Sequence, residues 1–225
     1  MPTALHVGLV VAAGLVGLLA GAFIARAVAH GRTRTVVVIA GTGLAFAAIT
    51  WWIPAASALP GPALIPVVLA YLFFAAVSIA LTVIDLDTHR LPNAIVLPGY
   101  LVVGGALIAA CLLGAPWSAL LRAATGMLLL FAFYFLLRVI RPGAMGGGDV
   151  KLAGLLGLLL GWAGWSSLVV GAFAGFLLGG VFGAILLVAR RADRRTAIPF
   201  GPWMILGAWV GVFAGDVLGS FSLGR

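Results

Sequence analysis

Gly143-Ala-Met-Gly-Gly-Gly-Asp149-Val-Lys151 stands between two strongly apolar blocks of a chain whose five acidic residues are all aspartates: Asp85, Asp87, Asp149, Asp193 and Asp216. Read in isolation, the stretch is a flexible loop with one solvated acid. Read with membrane helices on either side, it places a carboxylate at the edge of a bilayer segment, where ionisable groups are costly and mark function. Three consecutive glycines before the acid let the backbone take φ > 0 and let another chain approach closely.

The flanking composition favours the membrane. The 225 residues are 64% hydrophobic and 8% charged, with a mean hydropathy of +1.27. A soluble domain carries about 25% charged residues, and this chain cannot cover itself with polar side chains. A helix needs roughly 20 apolar residues to cross the hydrocarbon core. Spans are expected at 5–25, 36–53, 63–84, 94–113, 118–137, 152–163, 166–189 and 198–219. The sixth is short, and is expected to be tilted, half-inserted or shielded by its neighbours. The expected fold is therefore all-α: one integral membrane domain, 1–225, with about eight transmembrane segments. A barrel would instead show short alternating strands. The first apolar run has no basic region before it and ends at Arg26, so it reads as a membrane helix and not a cleaved signal.

Charge sets the orientation. Arg26, Arg32, Arg34, Arg90, Arg138, Arg141, Lys151, Arg190, Arg191, Arg194 and Arg195 are eleven of the thirteen basic residues, and all fall on one side by the segment count. Cytoplasmic loops carry the Lys/Arg excess. The net charge of +8 thus reflects topology and does not call for nucleic acid. Of the two exceptions, Arg225 ends the chain and Arg122 lies near the outer end of its segment, from where it can snorkel. No loop is long enough to form a domain, so the chemistry belongs at the membrane. Gly171, Gly175, Gly179 and Gly183 recur every four residues and read as a small-residue packing face. The lone Cys111 allows no disulfide framework within the chain.

Two clusters face the same side. One is Asp85-Leu-Asp87-Thr-His89-Arg90-Leu-Pro92-Asn93; the other is Gly146-Gly147-Gly148-Asp149 with Lys151. Both lie at segment ends of one depth, the minimum geometry for a carboxylate pair. Two carboxylates about 3 Å apart cannot both ionise: one keeps its proton and acts as acid, while the other activates water as base. A phosphate-binding loop needs Lys directly after its last glycine, and here Asp149 follows Gly148. A divalent metal on Asp85, Asp87 and His89 is a second reading, since Asp85 and His89 would share a face if the helix continued. Asp193 reads as a solvated loop residue and Asp216 as a structural or interfacial acid.

Ile84-Asp85 followed by Pro92-Asn93, together with Gly146-Gly-Gly148-Asp149-Val-Lys151, resembles the prepilin peptidases, the type IV leader peptidases with a Gly-x-Gly-Asp signature. The resemblance covers roughly residues 70–200. It implies a membrane aspartic endopeptidase with Asp85 and Asp149 as the catalytic pair. Gly146, Gly147, Gly148, Lys151, Arg90, Pro92 and Asn93 would support the motif or the substrate. It implies a catalytic core of about 63–200, two additional N-terminal helices in 1–62, and no metal or cofactor. The partner would be a pilin-like precursor with a short basic leader, cut at the cytoplasmic face of the cell membrane beside membrane lipid. Many members carry an N-terminal cytoplasmic insertion with paired cysteines, and longer members also methylate the new N-terminus. Residues 26–35 are too short for that insertion, and the methyl transfer is not carried over. Two other classes compete. A small proton- or ion-coupled transporter predicts acids near the bilayer midplane, not at segment ends. A metal-dependent lipid-linked transferase using Asp85 and Asp87 predicts inhibition by chelator.

Overall fold

A computed structural model describes residues 4–57, 59–141, 145–189 and 199–222. Asp193 and the arginines around it lie outside the described residues, as do the side chain of Asp216 and residues 142–144. Among the described residues there are eight helices: α1 (Ala4–Val28), α2 (Arg32–Ala56), α3 (Gly61–Thr88), α4 (Asn93–Leu112), α5 (Trp117–Ile140), α6 (Gly147–Ala163), α7 (Trp165–Val188) and α8 (Gly201–Ser222). No strand occurs among the described residues. Six helices, α1–α5 and α7, are long and apolar enough to cross a membrane, and the chain is a multi-pass membrane protein. Helices α1, α2, α3 and α5 reach past their apolar runs into charged residues, because a helix satisfies its own backbone beyond the hydrocarbon.

The chain divides into two compact units, Met1–Val83 with Pro98–Pro116, and Ile84–Leu97 with Trp117–Arg225. In the first unit α1 and α2 pack face to face through small residues. A Cβ on Gly21 would lie 2.8 Å from the Ile39 Cα, and one on Gly17 would lie 2.8 Å from the Thr42 carbonyl oxygen. Thr42 is buried and turns its hydroxyl back to the Val38 carbonyl at 2.7 Å, so that hydroxyl is satisfied within its own helix.

The second unit is built around α6. This helix has 17 residues, and Val150 and every residue from Leu152 to Trp162 are buried. It packs against α5, α7 and α8. A helix apolar on all sides is stable only when enclosed, so shielding by neighbours is the outcome among those expected for the short sixth segment. The α5–α6 seam is a glycine crossing: a Cβ on Gly126 or on Gly161 would strike the opposite backbone, the latter 2.7 Å from the Arg122 carbonyl oxygen. The Arg122 side chain does not snorkel outward. Its Nε and Nη2 donate to the carbonyls of Gly161 and Trp162, both at 2.7 Å. The last carbonyls of a helix have no partner within it, and a cation there also matches the helix dipole. The α7–α8 seam uses the expected glycine face, with Gly171 and Gly175 against Gly207 and Gly211.

Candidate active site

The first cluster folds as the end of α3 and the start of α4. Thr88 donates its hydroxyl to the Ile84 carbonyl at 2.8 Å, and His89 takes φ +52 while its N–H donates to the Asp85 carbonyl at 2.8 Å. A left-handed residue terminates a helix by closing its last turn. Helix α3 therefore ends at Thr88, and His89 leaves the helical path on which the metal reading placed it. Among the described residues no three His, Cys, Asp or Glu side chains gather into a metal-ligating group.

Helix α3 separates the two aspartates, because residues two apart point to different faces of a helix. Asp85 is 3% exposed, whereas Asp87 is exposed. The buried Asp85 carboxyl accepts a hydrogen bond on Oδ2 from the Gly201 N–H, 3.1 Å away at the start of α8. Leu91 points inward beside it, and Arg90 stays exposed. Arg90, Pro92 and Asn93 line an open groove of about 650 Å³ with Ile84, Thr88 and Leu91.

The second cluster is helical, not a loop. Gly147, Gly148, Asp149 and Lys151 form the opening of α6. Gly146 is extended, and its N–H donates to Asp149 Oδ2 at 3.0 Å, the reciprocal half of a capping box. Gly148 has helical backbone, so the φ > 0 expected of these glycines does not occur there. Its need for hydrogen is steric: a Cβ would lie 2.8 Å from the Leu91 Cβ and 3.2 Å from the Leu91 carbonyl oxygen. On Gly147 a Cβ would collide with the Arg138 guanidinium. Lys151 donates to Asn93 Oδ1 at 2.9 Å, which ties the second cluster to the first.

Asp85 and Asp149 are thereby brought within electrostatic range of one another. Asp149 is half-buried in the first turn of α6, a helix outside the six spans, ahead of that helix's apolar run. Burial pushes its carboxyl up to about 6; the Gly146 N–H opposes the shift, and the Asp85 charge adds to it. Both acids keep a defined partner on Oδ2. Tyr134, buried on α5, is near enough to feel the Asp149 charge. Its ring packs with Phe176 at 5.3 Å and Phe200 at 6.3 Å.

The sequence placed Asp85, Gly148, Asp149, Lys151 and Asn93 in one neighbourhood, and they meet there. It missed Leu91, Arg138, Tyr134 and Gly201. The signal for Gly201 was the Pro199-Phe-Gly-Pro202 stretch opening the last apolar run. Proline in the first turn marks a helix start, but nothing in it names Asp85 as partner.

Comparison with known proteins gives the class. The family model described as the type IV leader peptidase family matches residues 72–188, just over half of the chain. The chain belongs to this family. It is 34% identical over 142 residues to the prepilin leader peptidase/N-methyltransferase of Stutzerimonas stutzeri, covering 61% of this chain and 47% of that protein. With the protein of the same name from Aeromonas salmonicida (strain A449) it is 36% identical over 152 residues, covering 66% and 50%. With that of Bacillus subtilis (strain 168) it is 30% identical over 152 residues, covering 66% and 56%. The chain thus spans about half the length of the curated relatives it matches. No solved structure matches it.

Proposed function

We propose that this protein is a membrane aspartic endopeptidase that removes the short basic leader from pilin-like precursors, with Asp85 and Asp149 as its catalytic pair. The observation that carries the reading is that Gly148 of the second cluster rests on Leu91, which lies beside the Gly201 that holds the buried Asp85, so the two acids share one site in a member of this family. In the reaction the pair holds one proton. The ionised carboxylate takes a proton from water, whose oxygen attacks the scissile carbonyl carbon. The protonated carboxyl donates to the carbonyl oxygen. Collapse of the tetrahedral species then breaks the C–N bond as the nitrogen regains a proton. The apparent titration belongs to the pair.

The groove beside Leu91, Pro92 and Asn93 is where we seat the substrate chain, with its leader in the cytoplasm and its apolar helix in the bilayer of the cell membrane. The core that does this is about 63–200. The proposal covers hydrolysis and not the methyl transfer in the relatives' name. The test is co-expression with a pilin-like precursor and N-terminal sequencing of the product. A new N-terminus directly after the leader supports the reading, and an uncut precursor beside correctly inserted protein refutes it.

A further inference from the structure

We infer that Gly201 is a positioning residue for this pair: its N–H and its missing side chain together hold the Asp85 carboxyl where it acts with Asp149. The inference rests on the reading of Asp85 as one of the working acids.

Asp85 needs outside support. It lies in the last turn of α3, where unpaired carbonyls gather and the helix dipole disfavours an anion. Titratable groups that act on it include His89, exposed just past the end of its own helix, and Asp149 from α6, which is itself an acid. The hydrogen bond that reaches the carboxyl comes from a third element, α8. Gly201 is the first residue of that helix, so its N–H has no intrahelical acceptor and is available to an anion.

The same position has no room for a side chain. A Cβ on Gly201 would lie 2.7 Å from Asp85 Oδ2 and 3.3 Å from its Cγ. The carboxyl cannot step aside at little cost, because Asp85 is buried and Leu91, 3.4 Å from the same Cβ position, is backed by Gly148. Gly201 is itself held. Phe200, just before it, packs against Phe176 at 5.5 Å and against Tyr134, and Pro202 follows it. Gly201 thereby fixes Oδ2 and with it the orientation of the carboxyl. Asp149 mirrors this, its Oδ2 engaged by Gly146.

Two variants and one exchange measurement test the inference in the full chain. Gly201→Ala adds the Cβ and keeps the donor; Gly201→Pro adds the ring and removes the donor at a helix position that tolerates proline. Misplacing a reacting group by about 1 Å can cost about 100-fold, and removal of one positioned donor from an active site costs about 100-fold in kcat or more. We expect kcat per folded enzyme to fall about 100-fold in Gly201→Ala and further in Gly201→Pro, with KM changed less than about twofold. Wild-type kcat in Gly201→Ala, or a loss carried by KM alone, overturns the inference. Independently, amide hydrogen exchange at Gly201 is compared between wild type and Asp85→Ala. Exchange at least tenfold faster in Asp85→Ala supports the inference; equal rates overturn it. If the wild type cleaves no precursor the peptidase reading falls, and the exchange rates still decide whether Gly201 and Asp85 hold one another.

Discussion

Asp85 and Asp149 reach one neighbourhood from opposite ends of their helices. Asp149 sits in the first turn of α6, where the free N–H groups and the helix dipole favour an anion, and it takes its hydrogen bond from Gly146, three residues away. Asp85 sits in the last turn of α3, where both effects run against it, and its donor is Gly201, 116 residues away in sequence. One acid carries its support beside it. The other borrows the start of a different helix. The difference teaches that a carboxylate pair can be equal in chemistry while its members depend on very different amounts of the fold.

The comparison breaks most severely if either acid proves dispensable. Asp85→Asn and Asp149→Asn should each lower cleavage by on the order of 10⁴-fold, and the double variant should be little worse, because such residues act as a unit. Asp87→Asn should stay within a few-fold of wild type, as its side chain is exposed. Initial rates on a detergent-solubilised precursor measure all four. An active Asp85→Asn beside a dead Asp87→Asn would reverse the assignment within the first cluster.

The next effect sharpens how the two clusters dock. Gly148→Val should inactivate the enzyme, since its Cβ would meet Leu91 at 2.8 Å, and overpacking of this kind costs about 1–3 kcal/mol. Leu91→Gly, which removes the Cβ that the new side chain would strike, added to Gly148→Ala should recover part of the activity lost by Gly148→Ala alone. Strictly additive losses in that double-variant cycle would show that Gly148 does not act through Leu91.

The smallest effect is on stability. The folded Asp149 carboxyl titrates near 6, above its ordinary 3.8. The folded state therefore holds more protons than the unfolded one between these values, and stability falls as pH rises through that window. Asp149→Asn keeps an oxygen to accept from Gly146 and does not titrate. Its melting temperature relative to wild type should rise from pH 4 to pH 7 and level off above. A flat difference across that range would show that burial does not hold the proton on Asp149.

The same contrast explains what could be read in advance. Gly146-Gly-Gly-Asp149 stood out in the sequence as an acid after three glycines at a segment end, but its local support, the cap on Gly146 and the helix start at Gly147, was not read. The eight apolar segments and the Gly171–Gly175 packing face were legible because period and composition are one-dimensional signals. Asp85 follows the buried Ser78 and Leu81 by seven and four residues on α3, so the helical period turns it inward and Asp87 outward, but the donor that α8 brings to it is not encoded in that period. Leu91 looked like an ordinary apolar residue between two polar ones. Its role as the surface on which Gly148 rests exists only once α6 and the α3–α4 turn meet. The extension of α6 back through Gly147 was missed because consecutive glycines are poor helix formers, and here packing against Leu91 and Arg138 overrides propensity.

Gly179 and Gly180 are neighbours on α7 with opposite surroundings. A Cβ on Gly180 would meet nothing within 4 Å, whereas one on Gly179 would lie 2.6 Å from the Phe200 ring. Phe200 leads directly into Gly201 and so to Asp85. Sequence drift on this helix is thus tolerated at one position and reaches the candidate site from the next. A variant catalogue sorted by distance along the chain would place both glycines equally far from the acids, yet only one of them is mechanically linked to Asp85.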